Sequence, residues 1–278
     1  MILQDKAEER YLSDYRIDKY ERPSVAVDIA AFSISYDEAE NYKCDSRQRL
    51  SLLLIKRGEH PFKDMWALPG GFLKKGETLE ACALREIQAE CGITPRALMP
   101  VGMFSRPDRD PRGWIISNAF VSVIGGERAS AVSGDDASDA RWFDFAYRKE
   151  GDMLYLDMIG GDIVIHSVLR QKTVRLGMAE YEIVDSDGLS FDHACIIAAT
   201  LDRLRGVADN FDILFDFLPE LFTISDLQRV YEAILNTALA PPNFRRKVLP
   251  YIEETNEQAT GAGHRPAMLY RKKQTELT

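Results

Sequence analysis

Residues 71–93 read GFLKKGETLEACALREIQAECGI, and the spacing inside this stretch decides how the rest of the chain is read. Thr78 is a fitting N-cap and Gly92 a fitting C-terminal stop, so the pattern predicts a helix from about Leu79 to Cys91. Residues four apart share a helix face, which makes Glu86 and Glu90 neighbouring carboxylates with Ala89 beside them. The preceding loop supplies Glu77 and glycines, Gly71 among them, that let backbone approach a ligand closely. Clustered hard oxygen donors suit Mg²⁺, or Mn²⁺, which prefers carboxylates completed by water and phosphate oxygens. The bland alternative is a solvated helix face, where a pair of glutamates means little.

Working outward, Val25–Ser35 (VAVDIAAFSIS) and Ser51–Lys56 (SLLLIK) read as buried strands, separated by a polar loop over 36–50. Strand patterns return at Val101–Phe104, Trp114–Ile124 and Ala140–Phe143. Residues 153–185 resemble a small antiparallel set turning at Gly160-Gly161. From Ser190 the period becomes helical, and FDHACIIAATLDRLRG reads as one amphipathic helix. The polar stretch DSDGL at 185–189 is the expected boundary, giving domains at 1–187 and 188–278 with a β-rich extension at about 150–185. The first 20 or so residues read as a polar arm.

The 71–93 stretch resembles the Nudix box. Gly71, Glu77, Arg85, Glu86, Ile87, Glu90, Gly92 and Ile93 fall on its fixed positions, and Ala89 replaces one glutamate of its Glu-Glu pair. The resemblance implies an α+β fold, an α/β/α sandwich around a mixed sheet. It also implies Mg²⁺ or Mn²⁺ held by Glu86, Glu90 and Gly71, and Arg85 paired with Glu77 to orient the helix. With two of three carboxylates left, ligand class is better supported than turnover. WALPGGF (66–72) and DDASDARWF (135–143) resemble flanking parts of such domains. Asp135 and Asp136 are candidates for a further acidic ligand, or for an ordinary solvated loop.

SRPDRDPRGWIIS (105–117) places Arg106, Arg109 and Arg112 beside Asp108 and Asp110. Guanidinium forks suit phosphate oxygens, so Arg106, Arg109, Arg112 and Asp110 are the candidate ligand contacts. The alternative is a surface salt-bridge loop. Trp114 is read as core more readily than as a base-stacking ring. The stretch resembles Nudix proteins that handle ADP-ribose.

Beyond residue 220 two helices, a tip at Glu253–Gly263 and a strand HRPAMLYRKK match a winged helix-turn-helix. Thr223 and Asp226 form a loose capping box, and Pro242 suits a first helical turn. From Asn243 to Lys273 there are seven Lys or Arg against three Glu, within a chain of net charge -9. Asn243, Arg245, Arg246 and Lys247 on the second helix, with Arg265 in the wing, are the candidate DNA contacts. A basic surface for dimerisation is the alternative. The order FDHACIIAATLDRLRG, LPELFTISDLQRVYEAIL, NFRRK and GHRPAMLYR resembles the NrtR family, Nudix-related transcriptional regulators of NAD metabolism, some relatives of which regulate sugar metabolism instead. That resemblance implies ADP-ribose or a related nucleotide as ligand, operator DNA as partner and a homodimer. A working ADP-ribose pyrophosphatase, its winged domain serving only contacts, is the other reading.

Composition agrees: 45% apolar and 28% charged residues describe an ordinary globular chain. The acidic balance excludes a generic polyanion binder. Cys44, Cys82, Cys91 and Cys195 show no metal or disulfide spacing, and no segment is apolar enough to span a bilayer. A reduced cytoplasmic protein is expected.

Overall fold

The computed structural model describes residues 6–36, 48–125, 137–175, 178–259 and 267–274. After a helix α1 (Lys6–Asp14), alternating apolar residues build a mixed sheet. Its strands are β1 (Ser24–Tyr36), β2 (Gln48–Arg57), β3 (Trp66–Ala67), β4 (Gly70–Phe72), β5 (Ala97–Phe104), β6 (Ile115–Val123), β7 (Ala137–Glu150), β8 (Met153–Gly160), β9 (Ile163–Arg175) and β10 (Met178–Ser186). The order is β10-β9-β8-β7-β2-β1-β6-β5, with β3 on β2 and β4 on β1. β1 and β6 run parallel; the other pairs are antiparallel.

Strand side chains alternate between faces, so β1 feeds two cores at once. Val27, Ile29 and Ala31, with Leu53 and Ile55 of β2, pack on helix α2 (Leu79–Cys91) through Cys82, Ala83, Ile87 and Cys91. Ala30, Phe32 and Ile34, with Leu50, Leu52 and Leu54, pack on the opposite side against helix α3 (His193–Val207). Phe32, Phe120 and Phe143 are fully buried, each contributing about 1.5–3 kcal/mol by leaving water. The result is the α/β/α sandwich expected from the sequence, and α2 starts and stops where the Thr78 and Gly92 signals put it.

The segment 153–185 forms the antiparallel strands β8–β10, which extend the main sheet from β7, with the hairpin turn at Gly160-Gly161. The helix starting at His193 is not part of the C-terminal domain alone. Ala194, Cys195, Ile196, Ile197 and Ala198 are buried in succession, which a one-sided amphipathic helix does not allow. α3 lies between the sheet, chiefly β10, and the helices that follow.

The C-terminal part consists of α4 (Asp212–Phe215), α5 (Ile224–Leu235), α6 (Pro241–Val248) and the hairpin β11 (Ile252–Ala259) with β12 (Ala267–Lys272). The Thr223–Asp226 capping box is present in both directions. Residues 253–259, expected as a flexible tip, are strand paired with β12. Core residues Phe211, Leu227, Val230, Ile234, Phe244 and Val248 join the same apolar cluster as α3 and the sheet. The Tyr147 hydroxyl donates to Ile234 O at 2.9 Å, and Asn236 Nδ2 donates to Tyr147 O at 3.0 Å. One continuous core thus joins the sheet to the hairpin domain.

Candidate nucleotide cleft and nucleic-acid face

A cavity of about 600 Å³ opens at the N-terminal end of β1, between β4, α2 and the 105–114 loop. Its near wall is the β4 turn. Gly70 faces Asp28 and Gly71 faces Val27 across the β1–β4 pairing. A Cβ on Gly70 would fall 2.1 Å from Val27 O, and one on Gly71 2.4 Å from Glu86 Oε1. Only glycine lets this turn lie between the strand and the helix carboxylates.

Glu86 and Glu90 both line the cavity, with Ala89 between them. Glu90 Oε2 accepts from Gly70 N at 2.9 Å. Arg85 Nε and Nη2 donate to the two Glu77 oxygens at 2.7 and 2.9 Å, Nη2 also reaches Phe72 O at 3.2 Å, and Nη1 donates to Glu86. The Arg85 hydrogen bonds hold the Glu77 carboxyl down at about 2. The fork ties loop, turn and helix together, the orienting part implied for Arg85 and Glu77. Among the described residues no group of three or more His, Cys, Asp or Glu side chains converges on one point. The donor set here is two carboxylates against a glycine turn. Hard oxygen donors with room beside them fit a divalent cation completed by water and phosphate oxygens.

A buried charge cluster, with Asp28, Arg109 and His193 in the lining, forms the floor of the cavity. Arg109 Nη2 meets Asp192 Oδ1 at 2.7 Å and Asp28 Oδ2 at 3.3 Å, and Ser117 Oγ donates to Asp28 Oδ2 at 2.5 Å. His193 Nδ1 accepts from Leu68 N at 2.9 Å, so its proton sits on Nε2, 3.4 Å from Asp28 Oδ1. Burial pushes the His193 pKa down, against the pull of Asp28 and Asp192.

The arginine-rich loop therefore divides. Arg112 and Asp110 line the cavity; Asp110 is 3% exposed and takes Arg112 Nε and Nη2 at 3.0 and 2.7 Å. Burial works to raise the Asp110 pKa, but Arg112 outweighs it and the net direction is down. Arg109 also borders the cavity, with Nε and Nη2 of its guanidinium engaged by Asp28 and Asp192. Arg106 points away, exposed and paired with Asp108 at 2.8 Å, because two residues of local sequence satisfy it. Trp114 is 52% exposed and lies off the cavity lining, so it is not the core residue expected. Asp135 and Asp136 fall outside the described residues. Sequence reasoning missed Asp28, Arg57, Phe191 and His193. Only Asp28 left a signal, a lone charge inside VAVDIAAF.

In the C-terminal domain Phe244 and Val248 anchor α6, leaving Asn243, Arg245 and Arg246 exposed. Arg246 Nη2 donates to Asn243 at 3.1 Å, and Arg245 Nη2 approaches the Tyr270 hydroxyl at 3.3 Å. Lys247 departs from the expected set. Its ammonium turns back onto Asp209 at 2.6 Å and the Tyr231 hydroxyl at 2.8 Å, over the rings of Tyr231 and Phe211. Arg265 lies outside the described residues.

Comparison with known proteins agrees with this geometry. The NUDIX domain family matches residues 41–150. An ADP-ribose pyrophosphatase of Methanocaldococcus jannaschii is 44% identical over 136 residues, 49% of this chain and 69% of its own length. The chain belongs to the Nudix family. Its C-terminal part is an NrtR-type winged helix: the NrtR DNA-binding winged helix domain matches residues 214–272. An ADPR responsive transcriptional repressor, NtrR, of Acinetobacter baylyi is 29% identical over 269 residues, 95% of this chain and 88% of its own. The crystal structure of a MutT/nudix family protein from Enterococcus faecalis has a TM-score of 0.70 at 28% identity, covering 98% of this chain and all of that one. The Nudix match ends with β7, so β8–β10 and α3 lie between the two matched regions. Nudix hydrolases generally use divalent metals, in keeping with the paired carboxylates. Among the described residues no helix is long and apolar enough to cross a membrane.

Proposed function

We propose that this chain is a metabolite-responsive transcriptional regulator whose Nudix cleft binds ADP-ribose or a close relative with Mg²⁺, and whose winged helix binds operator DNA. The observation that carries the reading is the single apolar core running from the sheet beneath the cleft, through α3, to α5 and α6. A cleft and a basic helix on one core can share two global states, and a ligand that prefers one state shifts the other site. Glu86 and Glu90 would hold the cation, with Gly71 giving the close backbone approach; the ion would neutralise phosphate charge there. Asp110 fixes Arg112 toward the cleft for the phosphates. Arg245, Arg246 and Asn243 would meet DNA. We place the winged domain from about residue 212, with α3 shared between both parts, and the working unit as a homodimer in the cytoplasm. The relatives support the reading: one carries ADP-ribose responsiveness and repression in its name over nearly the whole chain.

The test is a titration of the full chain on a duplex of its own upstream region, with and without ADP-ribose and Mg²⁺. DNA affinity should change with ADP-ribose and fall steeply with salt. Indifference of DNA binding to ADP-ribose would refute the regulator. A second reading, ADP-ribose hydrolysis to AMP and ribose 5-phosphate, is favoured by the intact Glu77–Arg85–Glu86 lock. Following AMP release decides it. If turnover exists, Glu90→Gln should cut it by on the order of 10²-fold, since metal stabilisation is worth several kcal/mol.

A further inference from the structure

The cleft has a second wall that the carboxylates do not use. Phe191, on the approach to α3, lines the cavity with φ +52, a conformation uncommon for a bulky residue. Its ring is contacted edge-on by Phe62 at 4.7 Å between centroids. Two guanidinium groups lie over the same ring, Arg57 at 4.9 Å and Arg112 at 5.4 Å from its centroid. Arg112 is oriented by Asp110 through Nε and Nη2. Arg57 Nε donates to Pro61 O at 2.8 Å.

One ring can be stabilised by one cation, and that needs no ligand. Two like charges on the same ring are a different matter. Among the described residues no carboxylate lies within ion-pair distance of Arg57. Burial first, then the nearby Arg112, push the Arg57 pKa down against the smaller pull of Asp110, Glu90 and Asp28. Its terminal nitrogens and Arg112 Nη1 remain as forked donors in the same cavity as Glu86 and Glu90. Asp110 occupies only Nε and Nη2 of Arg112, and the planar forks left facing the cavity match phosphate oxygens.

Phe191 is also one bond from the cluster that anchors α3. Asp192 is held by Arg109 at 2.7 Å, and the His193 ring lies tilted against Phe191 with centroids 5.3 Å apart while accepting from Leu68 N. Drawing Arg57 and Arg112 onto a phosphate changes what holds the Phe191 ring, and through it the start of α3.

We propose that Arg57 and Arg112, stacked on Phe191, form a metal-independent subsite for phosphate oxygens of the nucleotide, and that Phe191 couples its occupancy to α3. This rests on the nucleotide reading above. Calorimetric titration of the full chain with ADP-ribose, in EDTA and in Mg²⁺, tests it. Arg57→Ala should lose roughly 10–100-fold in affinity in both conditions, the worth of one or two charge-assisted bonds. Arg57→Gln, which keeps the reach over Phe191, should lose about as much, whereas Glu90→Gln should lose only the gain due to Mg²⁺. If the unaltered chain binds no ADP-ribose, the nucleotide reading falls and this one with it. If it binds and Arg57→Ala binds equally well, or weakens only in Mg²⁺, the subsite alone is overturned. For the coupling, Phe191→Leu, measured at ADP-ribose concentrations that saturate the variant, should keep ligand-free DNA affinity within about 3-fold yet abolish the effect of ADP-ribose on DNA binding, and Phe191→Tyr should restore it. A Phe191→Leu protein that still responds overturns the coupling.

Discussion

The acidic wall of the cleft and the basic face of α6 are built on opposite principles. Around the Nudix helix the functional side chains are fixed by hydrogen bonds: Arg85 spends all three guanidinium nitrogens on Glu77, Glu86 and Phe72 O, and Glu90 is seated on Gly70 N. On α6 Arg245 and Arg246 keep one long or local contact each and stand in solvent. The difference reflects what each surface recognises. A small cation tolerates little misplacement of its donors, so the donors are preorganised. A phosphate backbone is a line of charge, and mobile side chains meet it at little cost in precision.

The largest expected effect breaks the lock. Arg85→Lys keeps the charge but not the fork, and should weaken Mg²⁺-dependent ADP-ribose binding by roughly 10–100-fold, as supporting contacts at metal sites do. Calorimetry with and without Mg²⁺ reads it; ligand-free DNA affinity should stay unchanged. An Arg85→Lys chain that binds normally would mean the cleft needs no such rigidity. The matching change on α6 should be mild. Arg246→Lys should leave DNA affinity within about 2-fold, while Arg246→Ala should cost about 10-fold and lower the salt slope by about one. Fluorescence anisotropy across salt concentrations tests both, and a heavy loss in Arg246→Lys would show that α6 reads base edges through a fixed fork.

How far the sequence alone could be read follows the same divide. The Nudix helix, its caps and its lock were legible because local spacing sets them: Thr78, Gly92 and the Glu77–Arg85 interval act within 16 residues. The strands of both cores showed as alternation in VAVDIAAFSIS. What did not show depends on contacts between distant segments. Nothing near Lys247 in the chain predicts that Asp209, 38 residues earlier, captures its ammonium. Nothing near Arg57 predicts Phe191. The arginines of the 105–114 loop look equivalent in sequence, and only the fold sends Arg109 inward and leaves Arg106 to Asp108. α3 carries apolar residues for two partners, the sheet and the helices that follow, and a period-based reading assigns a helix to one.

A third prediction concerns pH and the floor of the cleft. His193 is held neutral: burial lowers its pKa below the ordinary value near 6.5. Above about pH 6.5 neither the folded nor the unfolded chain binds the proton, and the group adds no penalty. Below that, the unfolded chain takes up a proton that the folded one refuses, so stability falls with pH by up to about 1.4 kcal/mol per unit. Urea midpoints between about pH 7.5 and 5 should show this slope, reduced in His193→Gln. An unaltered slope in that variant would show that His193 is not the group that makes acid costly.

The smallest effect sits at the base of the DNA-facing half. Thr223 accepts from Asp226 N at 3.1 Å while Asp226 accepts from Thr223 N at 3.0 Å, closing the first turn of α5 from both sides. Thr223→Ala removes half of that box and should lower stability by about 1 kcal/mol. DNA affinity, measured well below the melting temperature, should not change, because α6 is positioned by the burial of Phe244 and Val248 rather than by the α5 cap. If Thr223→Ala weakened DNA binding as much as Arg246→Ala, the basic face would be as tightly specified as the cleft, and the contrast between a locked site and a solvated one would not hold for this molecule.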